Sequence, residues 1–412
     1  MKQVIIKLNF PYFISKRISK DEQSNFATTI SRLAVFSIAL GLAAMILAYF
    51  ILGGFQKTVK DKIYNFKGHL EISKYTLGGN FDENFISLGS DFYSDLEAYE
   101  FVDHYQSYAY KAGMLRTKEE VEGVMIKGVS QEFDTLRFQD NMLAGRFVSF
   151  SDSSYSKELV LSKRIANKLQ LEIGDKATVY FVQNPPKFRR LEVVGIYETG
   201  LEEIDKSMVI SDIRMVQKLN NWPDSLVGGV EVFVKEGYSK DEAMDALFES
   251  LDASLYVDKV SNSYAQIFDW LELLTQNVSV FLVLILVVAC FNMISILLIL
   301  IMERTYMIGV FQALGASRSQ IKKVFMYNGM ILVLKGMLLG NVIALLVTWL
   351  QDQFHIIPLD PINYYMDFVP VDWNFKAFFL LNLLTFIVVL IALRVPLAVI
   401  TRVKPVSALK FD

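Results

Sequence analysis

Residues 33–55, LAVFSIALGLAAMILAYFILGGF, run for 23 positions without a charged side chain. At about 1.5 Å per residue a helix of that length crosses the roughly 30 Å hydrocarbon core of a bilayer. The same signal recurs. Residues 273–302 carry no charge over 30 positions, 324–350 carry Lys335 alone, and 377–393 carry none. Four spanning helices are therefore predicted, at 33–55, 273–302, 324–350 and 375–394. Between the first two lie 217 residues, long enough for a domain of its own. The expected fold class is an α+β membrane protein: four transmembrane helices and a large mixed α/β domain between helices 1 and 2.

Charge sets the orientation. The opening segment 1–32 holds Lys2, Lys7, Lys16, Arg17, Lys20 and Arg32 against Asp21 and Glu22. Segment 303–323 holds Arg304, Arg318, Lys322 and Lys323 against Glu303, and the tail 395–412 is also basic. The loop 351–374 carries Asp352, Asp360, Asp367 and Asp372 with no Lys or Arg. Short basic loops stay cytoplasmic, so both ends and 303–323 lie inside. Segments 56–270 and 351–374 lie outside. From 54 to 270 there are 25 basic and 35 acidic residues, a net charge of −10. The first span begins late and lacks a small-residue cleavage pattern, so it is expected to be retained as an anchor. The one cysteine, Cys290, falls inside the second span, which rules out an intramolecular disulfide.

In the external domain, residues 56–66 read as a helix continuing from the first span and ending at Gly68. Strands are predicted at 69–73, 102–109, 124–129, 176–182, 191–196, 208–210 and 230–234, where β-branched and aromatic residues cluster between turn formers. Helices are predicted at 162–170, 211–219 and 239–251, with Ser162 and Ser211 as N-caps. No catalytic constellation is legible. The domain's two histidines, His69 and His104, have no cysteine beside them for a zinc site, and no G-x-S-x-G or H-E-x-x-H occurs. G-x-x-x-x-G-K-[ST] is also absent, so this chain is expected to be non-enzymatic and to hold no cofactor. No nucleic-acid partner is expected.

The stretch ERTYMIGVFQALGASRSQIKK at 303–323 is short, basic and helix-forming. Ile308, Phe311 and Leu314 recur every three residues, Gly315 breaks the helix and Ser317 caps the restart. Such an apolar stripe suits either an interfacial helix on lipid or a helix docking into a cytosolic partner's groove. The pattern E-R-x-x-x-I-G-x-x-x-A-L-G-A-S resembles the coupling segment of FtsX-like, MacB/LolC-type ABC transporter permeases. Further stretches are similar to their lipoprotein-releasing branch: 13–18 (FISKRI), 126–129 (IKGV), Gly145-Arg146, 158–175 (ELVLSKRIANKLQLEIGD), 191–219 and the closing 405–410 (PVSALK).

The resemblance implies a permease subunit in the inner membrane of a Gram-negative bacterium, with its large domain in the periplasm. That domain would be two interleaved subdomains, a mostly-β one inserted at about 130–220. The permease would pair with a second permease, the same or homologous, and with a dimer of separate ATPase subunits holding ATP and Mg. Lipoproteins in the outer leaflet would be extracted and passed to a periplasmic chaperone. Glu303, Arg304, Ile308, Gly309, Phe311, Leu314, Gly315 and Ala316 would form the ATPase coupling segment. The family's chaperone-binding hook would fall at 183–190, with Pro185, Pro186, Lys187 and Phe188 at its tip; a plain proline hairpin is the alternative. An acyl-chain cavity would be lined by Ile38, Leu42, Met45 and Tyr49 of the first span and by Leu282, Ile285 and Ala289 of a partner's second span. Gly336, Gly340 and Ala344 place small residues on one face of the third span, for close packing within the chain or between subunits. Lys335 is a charge within that span, able to snorkel toward the inner interface. Within the family, a MacB-like efflux permease or an FtsX-like signalling subunit controlling a cell-wall hydrolase is the alternative function. A membrane-anchored receptor or enzyme is the alternative outside it.

Overall fold

The computed structural model describes residues 25–400, together with 11 and 14, apart from 75–84, 90–91, 118–119, 152–153, 184, 253 and 361–363. The 13–18 motif, apart from Ile14, and the 405–410 motif lie outside the described residues. The chain divides into two compact units. One comprises Met1–Lys57, Leu271–Pro358 and Phe368–Asp412; the other comprises Thr58–Trp270 and Leu359–Asp367.

The second unit is built on a sheet. The helix α1, Asn25–Lys67, ends at Gly68, whose φ of +73° is the left-handed turn that glycine allows. The strands then follow in order: β1 Leu70–Lys74, β2 Ile86–Ser87, β3 Val102–Arg116, β4 Val121–Val129, β5 Met142–Gly145, β6 Glu158–Ser162, β7 Lys176–Phe181, β8 Lys187–Tyr197, β9 Met208–Asp212, β10 Leu226–Val227, β11 Gly229–Val234 and β12 Leu255–Lys259. Between them run α2 Lys163–Leu169, α3 Ile213–Asn220 and α4 Lys240–Ser250. Among the described residues ten strands form one sheet, ordered β12-β1-β11-β3-β4-β9-β6-β8-β5, with β7 bridging β3 and β8. The bridge closes β3-β4-β9-β6-β8-β7 into a ring.

The 15-residue β3 serves both halves. Its first part pairs with β11 and its second with β4 and then β7. Where two interleaved subdomains were expected from sequence, ten strands share one continuous hydrogen-bonded sheet within a single compact unit. β3 runs seven residues past its predicted end because the ring supplies partners that sequence cannot show. Ser162 caps α2 by accepting from the Ile165 N–H, as its position suggests. The cap of α3 is Asp212 instead of Ser211, because the fully buried Ser211 hydroxyl turns to the Glu158 carbonyl at 2.9 Å.

The first unit is helical. α5 spans Ala265–Glu303, α6 Thr305–Ala313, α7 Arg318–Phe354 and α8 Phe375–Ala392. Four helices among the described residues are long and apolar enough to cross a membrane: α1, α5, α7, and α8 with the turn after it. All four overrun their predicted spans, the last by only four residues, since uncharged runs report bilayer thickness and not helix length. Small residues set their spacing. A Cβ on Gly336 would come 2.7 Å from Ile38 Cβ, and one on Gly340 2.7 Å from the Ala39 carbonyl oxygen. Gly336 and Gly340 therefore form a face by which α7 lies against α1 within the chain, and Ala344, one turn on, is fully buried. Asn341 on α7 and Asn382 on α8 exchange two amide hydrogen bonds, at 2.9 and 3.0 Å.

Candidate functional site

The segment 303–323 folds as a helix, a break and a restart. Gly315, at φ +91°, donates to the Gln312 carbonyl at 3.0 Å, and Ala316 donates to that of Phe311 at 2.9 Å. These two bonds close the end of α6 in the left-handed turn that a glycine after the last helical residue favours. Ser317 and Gln320 then cap α7 reciprocally, the Ser317 side chain taking the Gln320 N–H and the Gln320 side chain the Ser317 N–H. The tight connection fixes where α6 presents its side chains.

That presentation corrects the expected apolar stripe. Ile308 is fully buried among the bundle's own apolar residues, Gly309 is buried, and Phe311 is half-buried against the same core. Leu314, at the break, is 79% exposed, and Tyr306 and Met302 are also exposed. Spacing by three shows which residues share a face and not whether that face turns inward. Glu303 is exposed and Arg304, the residue before α6, is half-buried. Tyr306 lies outside the Ile308, Phe311 and Leu314 spacing, so that pattern does not single it out.

The proline-containing stretch at 183–190 is a hairpin end. Lys187, Phe188, Arg189 and Arg190 belong to β8 and pair with Phe181, Tyr180, Val179 and Thr178 of β7. Val182, Gln183, Pro185 and Pro186 remain in the turn, and Asn184 lies outside the described residues. The Lys187 ammonium is committed, donating to the Leu219 carbonyl at the end of α3 at 2.9 Å. Phe188 is 63% exposed and Val182 78%. Cross-strand register adds two residues that no linear pattern revealed: Met114 pairs with Tyr180, and Tyr180 with Phe188. All three are exposed, giving an apolar row across β3, β7 and β8.

The acyl-chain lining is also corrected. Ile38, Leu42 and Met45 are buried inside this chain's own bundle, and Tyr49 is half-buried. Leu282 and Ile285 are half-buried and Ala289 buried, on α5. Gly41 of α1 faces Ile285 and Ala289, at 3.6 and 3.9 Å from where its Cβ would be. α1 and α5 thus meet within one chain, at the face that carries Ile285 and Ala289. What α1 and α5 leave uncovered includes Leu33, Phe36 and Leu40 on one and Val280, Phe281, Leu284, Val288 and Phe291 on the other. Lys335 is exposed on α7. Among the described residues no cluster of three or more His, Cys, Asp or Glu could hold a metal ion.

Residues 31–249 match the model of the MacB-like periplasmic core domain, and 279–405 match that of the FtsX-like permease C-terminal region. The chain belongs to this permease family. The MacB-like match covers the sheet unit up to α4, and the FtsX-like match holds α6, α7 and α8. Among curated relatives of this permease, "Lipoprotein-releasing system transmembrane protein LolC" of Neisseria meningitidis is 24% identical over 95% of this chain and 96% of its own. "Lipoprotein-releasing system transmembrane protein LolE" of Haemophilus influenzae is 22% identical over 98% of this chain and 99% of its own. Among solved structures, the periplasmic region of MacB from Actinobacillus actinomycetemcomitans is 13% identical, with a TM-score of 0.35 over 48% of this chain and 91% of that one.

Proposed function

We propose that this permease is a non-catalytic subunit of an ABC transporter that extracts lipoproteins from the outer leaflet of the inner membrane. The observation that carries the proposal is the end-to-end match to relatives named as lipoprotein-releasing transmembrane proteins, with little of either chain left over. A second permease and a separate ATPase pair, which binds ATP and Mg, complete the complex. The exposed Leu314 at the end of α6, with the exposed Tyr306 at its start, is the contact offered to the ATPase. Ile308 and Phe311 tie α6 to the bundle, so force on α6 reaches the spans. The lipoprotein's acyl chains lie along the uncovered faces of α1 and α5. The row of Met114, Tyr180 and Phe188 offers apolar docking for a periplasmic chaperone.

A photo-crosslinker placed in cells tests this. At Val280, which is exposed on α5, it captures lipoprotein; at the buried Met45 it does not. Capture of phospholipid alone at Val280, with lipoproteins still reaching their destination after depletion of this chain, rejects the proposal.

A further inference from the structure

The end of α1 carries buried charges that the transport proposal leaves unused. Lys127 on β4 is fully buried and Glu231 on β11 is 1% exposed. The Lys127 ammonium donates to the Phe66 carbonyl at 2.5 Å and to Glu231 Oε2 at 2.9 Å, with Oε1 of the same carboxylate at ion-pair distance, 2.8 Å. It also lies 4.4 Å from the centre of the Phe66 ring. Gln106 on β3 donates to the same carboxylate at 2.7 Å. Phe66 is itself fully buried, packed between Phe138 and Tyr197.

Phe66 is the penultimate residue of α1, so its carbonyl is one of those a helix leaves without an internal partner, at the negative end of its dipole. A lysine from a strand 61 residues away supplies both the donor and the positive charge. On the other side, the His69 N–H donates to the Val232 carbonyl at 2.8 Å. A Cβ on Gly68 would sit 3.1 Å from that oxygen. The helix end is thus tied to β4 and β11 together. An apolar contact of equal area would stabilise as well, since buried ion pairs are often replaceable by apolar side chains at no loss. It would not fix direction: packed apolar surfaces can slip, whereas an ammonium shared between a carbonyl and a carboxylate has one geometry.

We infer that Lys127, paired with Glu231, is a positioning residue that clamps the end of α1 to the sheet, so that helix end and sheet move as one body. Its consequence for transport rests on the proposed function; the clamp itself does not. The test uses the full complex with its ATPase in lipid nanodiscs. Cys290 is replaced by Ala and spin labels are placed at Asp61→Cys and Glu236→Cys. In the otherwise wild-type chain the label distance keeps one narrow distribution with and without ATP and vanadate. In K127M/E231M the thermal midpoint holds, the vanadate-trapped distribution broadens or splits, and lipoprotein released per ATP falls at least fivefold at unchanged hydrolysis. K127R, which keeps donor and charge, restores the narrow distribution. A narrow distribution and full release per ATP in K127M/E231M overturn the inference. So does a lowered midpoint with hydrolysis and release lost together, because that marks a purely structural role; if the double variant does not assemble, broadening in K127Q against K127R decides. A wild-type complex that hydrolyses ATP but releases no lipoprotein refutes the transport proposal, while the label distances still decide the clamp.

Discussion

In the helical unit the buried polar side chains among the described residues are neutral: Asn328, Thr348, Gln351 and Thr385. In the sheet unit they include Lys111, Lys127, Asp205, Asp212 and Glu231. The contrast follows from the two solvents. A charge in the bilayer core finds no water and few partners, so among the described residues none is buried between the spans, which rely on close contact between backbones. A sheet threaded by loops offers many N–H groups. Asp205, for instance, accepts from the Thr199 N–H at 3.0 Å, the Thr199 hydroxyl at 2.9 Å and the Gly200 N–H at 2.9 Å. One unit is held by shape and the other by shape plus paired charge.

The comparison breaks most visibly at Glu231. Replacing it by Ala leaves Lys127 buried without its carboxylate, which is expected to cost about 3–5 kcal/mol, read from chemical denaturation of the detergent-solubilised chain. A loss under about 1 kcal/mol would mean the pair is not a structural charge pair at all. In the helical unit the corresponding break is steric. Gly340→Val pushes a side chain against the Ala39 backbone and is expected to cost about 1–3 kcal/mol. A neutral outcome in the same denaturation assay would show that α1 and α7 are free to separate.

A proton supplies the next test. Burial, with Lys240 and Arg137 nearby, pulls His69 down to about 4. Its Nδ1 accepts the Val234 N–H at 3.0 Å, which requires an unprotonated nitrogen there. In the unfolded chain the imidazole takes its proton near the ordinary value of 6.5. Between those two pH values the unfolded state binds more protons, so stability falls as pH drops from about 6.5 to about 4 and is unaffected above that window. The expected loss is on the order of 1–2 kcal/mol after allowing for solvent screening. Unfolding midpoints at pH 7.5 and 5, compared with His69→Asn, isolate it; an equal pH dependence in the variant would assign the effect elsewhere. The smallest effect belongs to the Asn341–Asn382 pair, where Asn341→Leu is expected to cost about 0.6–1.7 kcal/mol, because the unfolded-in-membrane chain finds other partners. A loss as large as that at Glu231 would erase the contrast between the units.

How much of this was legible in the sequence differs between the units in the same way. The spans were plain because a bilayer imposes one length and one composition. Which side of each span turns inward was not, since Ile38, Met45 and Ile308 are as apolar as the exposed Leu40, Val280 and Leu314. The cap at Ser317 and the break at Gly315 were readable because local geometry decides them. The row of Met114, Tyr180 and Phe188 was not, because strands distant in sequence assemble it. The clamp at Lys127 left its trace as an isolated lysine in an apolar strand, with nothing to name its partner on β11.

The proposed function meets its most direct test in proteoliposomes holding this permease, its partner permease and their ATPase, with a triacylated lipoprotein in the bilayer and a soluble acceptor outside. On adding ATP, lipoprotein moves from the membrane to the acceptor. Leu314→Asp, which puts a charge into the ATPase contact, abolishes both that transfer and the stimulated hydrolysis while the protein still inserts. ATP hydrolysis that proceeds at full rate while all lipoprotein stays in the bilayer would contradict the proposal.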